Sequence, residues 1–128
     1  MEPNFLGLAD VIRIHEDQIK RYGGIQGIRE AGLLQSAVAT PQATYGGQYL
    51  HESIFDMASA YLFHIVKNHA FIDGNKRTGA AAAIVFLLLN NIDINAPEDS
   101  FEAIVRSVAV GNAGKAEVSE FFRKYSLT

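Results

Sequence analysis

The amino-acid sequence predicts an all-α protein: a compact single-domain helical bundle of about six helices spanning residues 1–128. Three observations carry that prediction. Apolar residues recur at intervals of three and four through most of the chain, the spacing of helices with one buried face. Between those stretches stand Gly23-Gly24, Pro41 and the glycines of GNAGK, residues that stop a helix. One stretch, TGAAAAIVFLLLN, is apolar on every side, as expected of a helix surrounded by others at the centre of a small bundle.

Taken in order, Leu8, Val11, Ile12, Ile19 and Tyr22 share one helical face, and Gly23-Gly24 ends it, so a first helix is expected over Leu8 to Tyr22. A shorter pattern starts near Arg29, runs through Leu33, Leu34 and Val38, and stops at Pro41. From Gln42 to Leu50 the text QATYGGQYL mixes small, aromatic and glycine residues, which reads as a short hairpin or irregular flap. Ile54, Ala58, Tyr61, Leu62 and Ile65 then form the stripe of an amphipathic helix from His51 to Lys67. The all-apolar helix occupies Thr78 to Asn90, where a run of alanines lets neighbouring backbones approach closely. Two amphipathic helices close the chain, one on Phe101, Ile104, Val105 and Val108, the other on Val118, Phe121, Phe122 and Tyr125.

Composition narrows the function classes. A chain of 128 residues closes one core but not two substantial ones, and 48% apolar with 20% charged residues is an ordinary globular balance. The absence of cysteine excludes disulfides, thiolate metal sites and a cysteine nucleophile, and suits a reducing cytoplasm. MEPNFLGLADVIRIHED carries acids early and lacks a basic lead into an apolar run, so no secretory signal is expected. The longest apolar run, Ala80 to Leu89, is too short for a bilayer, and a cytoplasmic protein without membrane contact is expected. A net charge of −3 and a pI near 5.7 argue against general binding to nucleic-acid backbone. His15, His51 and His64 are scattered along the predicted helices without ligand-like pairing, so they read as structural and no zinc site is expected. No Walker-type glycine loop or nucleophile elbow is present.

The chemistry concentrates in HAFIDGNKR, residues 69–77, between two apolar helices. Asp73-Gly74 is a turn dipeptide and Asn75 a favoured N-cap, which places Lys76, Arg77 and Thr78 in the first turn of the central helix. A helix N-terminus offers unpaired N–H groups and a partial positive charge, and Gly74 allows a ligand to approach the backbone. Lysine and arginine repel that dipole, so two in the first turn call for a counter-charge, which a polyphosphate supplies. Asp73 beside them is suited to Mg²⁺, usually bound by one or two carboxylates together with substrate phosphates. His69 can take a proton from an incoming hydroxyl near neutral pH. Phe71 is expected to plug into the core and hold histidine and cradle at a constant separation.

HAFIDGNKR resembles the central motif of the Fic/Doc superfamily, with the match closest to the death-on-curing (Doc) toxins of bacterial toxin–antitoxin systems. RYGGIQGIREAGLLQSAVATPQATYGG, the helix ending in KNHAF and GNKRTGAAAAIVFLLLNN share the likeness, which covers roughly residues 10 to 95. The resemblance implies an all-α Fic fold whose motif loop binds ATP with Mg²⁺ and modifies a hydroxyl on a protein. By position it implies that His69 is the catalytic base, Phe71 the buried anchor and Asp73 the magnesium-associated acid. Gly74 and Asn75 would form the anion-binding turn, Lys76 and Arg77 contact phosphates, and Lys67 reach a further phosphate. Gln42 to Tyr49 corresponds to the flap that lines up the target chain.

Two departures from the AMP-transferring members matter. Those enzymes typically follow the asparagine with glycine and place a second arginine three residues after the first, where this chain has Lys76 and Ala80. Doc proteins share this pattern, and it implies phosphoryl transfer, with the nucleotide reversed so that its γ-phosphate sits in the cradle and Lys76 joins the catalytic residues. The implied target is a Ser or Thr hydroxyl of a translation factor, with elongation factor Tu the leading candidate and inhibition of translation the consequence. AMP transfer and a catalytically idle antitoxin-binding module are the rival readings. The chain lacks the inhibitory Ser/Thr and Glu helix pattern of many Fic proteins. The resemblance therefore implies a small antitoxin whose C-terminal segment folds on binding, docked on a helical groove beside or away from the motif.

Overall fold

In the computed structural model, which describes residues 2–127, the first helix α1 (Leu8–Tyr22) begins where the Asp10 carboxylate accepts the Gly7 N–H at 2.8 Å. The terminal residues of the expected domain, Met1 and Thr128, lie outside that range. Helix α2 (Ala31–Ala39) starts two residues later than the expected Arg29, because the Arg29 and Glu30 N–H groups are spent on the Ala70 carbonyl at 2.7 and 3.0 Å. Pro41 does not simply follow the helix; it sits inside a 3₁₀ turn, Thr40–Gln42, at an early position where its missing N–H has no acceptor to serve. The expected flap is a hairpin of β1 (Thr44–Tyr45) and β2 (Gln48–Tyr49), antiparallel with Thr44 opposite Tyr49. Gly46 and Gly47 turn it with φ of 60° and 80°, the paired positive angles that fit the twist of a two-residue hairpin.

Helix α3 (Ile54–Asn68) begins three residues after the expected His51. A capping box sets that start: Ser53 Oγ accepts the Asp56 N–H at 3.0 Å, and the Asp56 carboxylate accepts the Ser53 N–H at 3.3 Å. Helices α4 (Asn75–Leu89), α5 (Glu98–Ala109) and α6 (Lys115–Tyr125) complete six α-helices among the described residues, an all-α fold. None is long and apolar enough to cross a membrane.

The most enclosed helix is α3, with every residue from Met57 to Leu62 buried against α4, α6, α2 and α5. The sequence assigned that place to α4, yet Leu88 and Leu89 near its end are 53% and 46% exposed. Packing against α1 leaves a groove along α4, lined by Leu6, Ile14, Ala81, Val85 and Leu89, so its outer face is only partly covered. Tyr61 of α3 is fully buried and ties down the chain before α1: its hydroxyl accepts the Leu6 N–H at 2.9 Å and donates to the Leu6 carbonyl at 3.1 Å. Burial pushes that phenol up to about 12.

Lys115, the first residue of α6, donates to both His51 Nε2 and His64 Nε2 at 3.2 Å. His51 lies on the loop before α3 rather than on a helix, and the two histidines, expected to be scattered, converge on this one ammonium. Burial, reinforced by the Lys115 charge, lowers both imidazoles, His64 to about 4, so each is a neutral acceptor at pH 7. Phe122 is fully buried; Phe101 and Phe121 stack on each other and meet its ring edge-on, and Tyr125 tilts against Phe121 to close the C-terminal end.

Helices α3 and α4 lie close together at Gly79, where an added Cβ would lie 2.7 Å from Val66 Cγ2 and 3.1 Å from the Leu62 carbonyl oxygen. Glycine to alanine within a helix ordinarily stabilises by about 0.5–1 kcal/mol, whereas overpacking a core costs about 1–3 kcal/mol. Gly79→Ala is therefore expected to lower the stability measured by urea unfolding by about 1 kcal/mol or more. A gain in stability would show that the two helices have room to part.

Candidate functional site

Helix α3 ends because His69 takes a left-handed conformation, φ 52° and ψ 46°, and turns the chain back. Asn68 steadies the exit by donating from Nδ2 to the Leu33 carbonyl at 2.9 Å. Ala70 and Phe71 then dive into the core, each 1% exposed. The Phe71 ring lies flat on His15 of α1, with centroids 3.8 Å apart and planes 4° from parallel. Its main chain is held by Asn75, whose Oδ1 accepts the Phe71 N–H and whose Nδ2 donates to the Phe71 carbonyl, both at 3.0 Å.

Asn75 is thus not the cap of α4, as the sequence suggested; it is the first helical residue, and Gly74 is the cap. The Asn75 side chain is committed to Phe71, while Gly74, at φ 79°, makes the left-handed turn that a side chain would strain. The Gly74 N–H donates to Asp73 Oδ1 at 2.9 Å, and His15 Nε2 donates to the Asp73 carbonyl at 2.8 Å. His15 is buried and structural in a specific sense: it supports the motif loop from beneath.

The segment between α1 and α2, Gly23 to Glu30, forms a strap along this loop. Ile28 pairs antiparallel with Phe71, the Ile72 N–H donates to the Gly27 carbonyl at 3.1 Å, and the Ile25 N–H donates to Asp73 Oδ2 at 3.2 Å. At its far end the Arg29 guanidinium donates to the His69 carbonyl from Nε at 3.1 Å and from Nη2 at 2.7 Å. Sequence reasoning missed this role of the strap. Its hydrogen bonds to the loop are mostly main-chain, and no periodicity reports them.

Lys67, His69, Asp73, Gly74, Lys76 and Arg77 line one cavity of about 560 Å³, a size that accommodates a small ligand. Asn75 borders it as well, whereas Phe71 lies behind it in the core. Ala109 of α5 closes one wall, a contribution from the C-terminal third with no signal in the sequence. No residue of the hairpin is among those lining the cavity. The first helical N–H with an intrahelical acceptor is that of Thr78, to Gly74 at 2.9 Å, which leaves those of Asn75, Lys76 and Arg77 without one.

Lys67, Lys76 and Arg77 have no carboxylate partner among the described residues. Arg77 instead lies 5.1 Å over the Tyr22 ring and donates weakly to the Gly23 carbonyl at 3.4 Å. The site therefore has an open helix N-terminus and cations without carboxylate partners, a donor set suited to phosphate oxygens. Each Asp73 oxygen accepts one N–H and keeps further lone pairs for a cation. No three metal-binding side chains gather among the described residues, so a Mg²⁺ ion at Asp73 would take its other ligands from phosphates and water.

The Fic/DOC family profile matches residues 5–87. Over 78 residues the chain is 45% identical to Toxin Doc of Mycolicibacterium smegmatis, an alignment covering 61% of this chain and 60% of that protein. Over 116 residues it is 27% identical to Protein kinase doc of Escherichia phage P1, covering 90% of each chain.

His15→Ala removes the stack under Phe71 and the hydrogen bond to Asp73 together. It is expected to cost about 2–4 kcal/mol in urea unfolding, the range for a buried ring lost with its partner left unpaired. His15→Phe keeps the stack and should recover more than half of that loss. Equal stabilities of His15→Ala and the native chain would remove His15 as a support.

Proposed function

The chain belongs to the Fic/DOC family, and on that footing we propose that it is a Doc-type toxin acting in the cytoplasm as a protein kinase. It would transfer the γ-phosphoryl group of ATP to a Ser or Thr hydroxyl of a translation factor and so inhibit translation. Elongation factor Tu is the leading candidate target. The observation that carries this reading is the α4 N-terminus, where Lys76, Arg77 and nearby Lys67 border a cavity without carboxylate partners, beside Asp73. The names of the two relatives support the toxin and kinase parts.

The division of labour follows from the chemistry of each group. His69 takes the proton of the target hydroxyl and so generates the nucleophile. The N–H groups at the start of α4, with Gly74 allowing close approach, hold phosphate oxygens. Lys76 and Arg77 stabilise charge on the phosphoryl group in flight, and Lys67 orients a further phosphate. Asp73 holds Mg²⁺, which when bound neutralises phosphate charge. Lys76 decides which phosphate moves, because it occupies the route by which the phosphates of an AMP donor would pass.

A small antitoxin is the proposed partner, its C-terminal segment folding as it binds. The groove between α1 and α4, where Leu6, Ile14, Ala81, Val85 and Leu89 meet the polar Asp10, Arg13, Asp17 and Gln18, supports that docking. The net charge of −3 supports no direct role for nucleic acid.

Incubation with a cell extract and ATP labelled at the α or the γ position tests the reaction. Label from γ alone is expected, falling about 10²–10⁴-fold in His69→Ala, the usual contribution of a positioned base. Label from α would replace the kinase by AMP transfer, and none from either would leave an idle binding module. Lys76→Gly should lower γ-transfer by about 10²-fold, the scale for losing one charge-stabilising donor. Native γ-transfer in that variant would show that the lysine has been given the wrong role.

A further inference from the structure

His69 occupies a position where backbone energetics favour glycine or asparagine. At the end of α3 it holds φ 52° and ψ 46°, a left-handed conformation that costs a residue with a Cβ about 1–2 kcal/mol. In the right-handed conformation His69 would simply continue the helix, and its side chain would follow the α3 face instead of bordering the cavity. The conformation therefore needs support from outside the turn.

At the His69 carbonyl that support comes from one residue. The Arg29 side chain places two donors, Nε and Nη2, on the His69 carbonyl oxygen at 3.1 and 2.7 Å. Its main-chain N–H, joined by that of Glu30, takes the next carbonyl, Ala70, at 2.7 Å. Two successive carbonyls are thus directed toward the strap, and the plane of the first, the His69–Ala70 peptide, is the one that sets ψ at His69. The guanidinium also lies at the C-terminal end of α3, where a cation is favoured. Arg29 has no carboxylate partner among the described residues, so its charge is spent on this carbonyl alone.

We propose that Arg29 is the positioning residue for His69: it holds the backbone of the base in the left-handed turn and so sets the direction from which the imidazole meets the target hydroxyl. Arg29 does not line the cavity and touches the reaction only through His69. The proposal rests on the assignment of His69 as base, and its test is built so that the two can fail separately.

The test compares the native chain, Arg29→Ala and His69→Ala in γ-phosphoryl transfer, and follows the His69 backbone resonances by NMR without nucleotide. Arg29→Ala is expected to lower kcat by about 10–100-fold, the scale of a misaligned reacting group. Its KM for ATP should stay within about twofold of native, since the cradle on α4 is untouched. Millimolar guanidinium ion should restore part of the activity of Arg29→Ala and none of that of His69→Ala, which a purely structural loss would not allow. The His69 resonances, which report φ, should shift or broaden in Arg29→Ala while those of Lys76 and Arg77 stay in place. Native kcat in Arg29→Ala, or a parallel loss of ATP affinity without guanidinium rescue, would overturn the proposal. If the native chain transfers no phosphoryl group, the kinase reading falls and the NMR comparison alone decides. Unchanged His69 resonances then refute the clamp, and displaced ones uphold it.

Discussion

The Asn75 carboxamide, buried and paired through both its oxygen and its nitrogen to the main chain of Phe71, is the constraint around which the site is arranged. A half-paired amide in that position would be costly, so the loop is stable only in the geometry that satisfies both ends. Closing it turns the Phe71 ring inward onto His15 and leaves Asp73 and Gly74 at the outer crest. His15 then takes the Asp73 carbonyl, so the same closure that buries the anchor also steadies the acid. Chemistry at the surface is held by contacts made beneath it.

The loop joins helices that are themselves close-packed, and this turns a local turn into a fixed separation. Gly79 lets α4 come against Val66 and Leu62 of α3, leaving little slack between the end that carries His69 and the end that carries the cradle. The cations are distributed unevenly with respect to the helix dipoles. Lys67, in the last turn of α3, sits where a positive charge is favoured; Lys76 and Arg77, in the first turn of α4, sit where it is not. An anion brought to the cavity would make the second placement favourable, which is why these two residues weigh most in the functional reading.

Support for α3 comes from both flanks. On one side the strap hydrogen-bonds along residues 69–73; on the other, Lys115 joins α6 to His64 and to the loop before α3 through His51. Asp56 adds a third link, accepting the Ser119 hydroxyl at 2.6 Å. Neutral imidazoles are suited to this duty, since each offers an acceptor to the ammonium without charge repulsion.

Much of this was legible in the chain because it is local. Helical periodicity, the Gly46-Gly47 turn and the boundaries of α1 are written in residues a few positions apart, and the motif residues bordering the cavity lie within 11 consecutive positions, Lys67 to Arg77. Where local signals compete, the reading was off by a few residues: Asn75 has the side chain of a cap, but a buried partner claimed it and left Gly74 to do the capping. What only the tertiary structure decided is which distant groups hold the motif in place. His15 meets Asp73 across 58 positions, Arg29 meets His69 across 40, and Lys115 meets His51 across 64. A hydrogen bond between residues so far apart leaves no periodicity and no spacing behind it, because its partners become neighbours only when the helices pack.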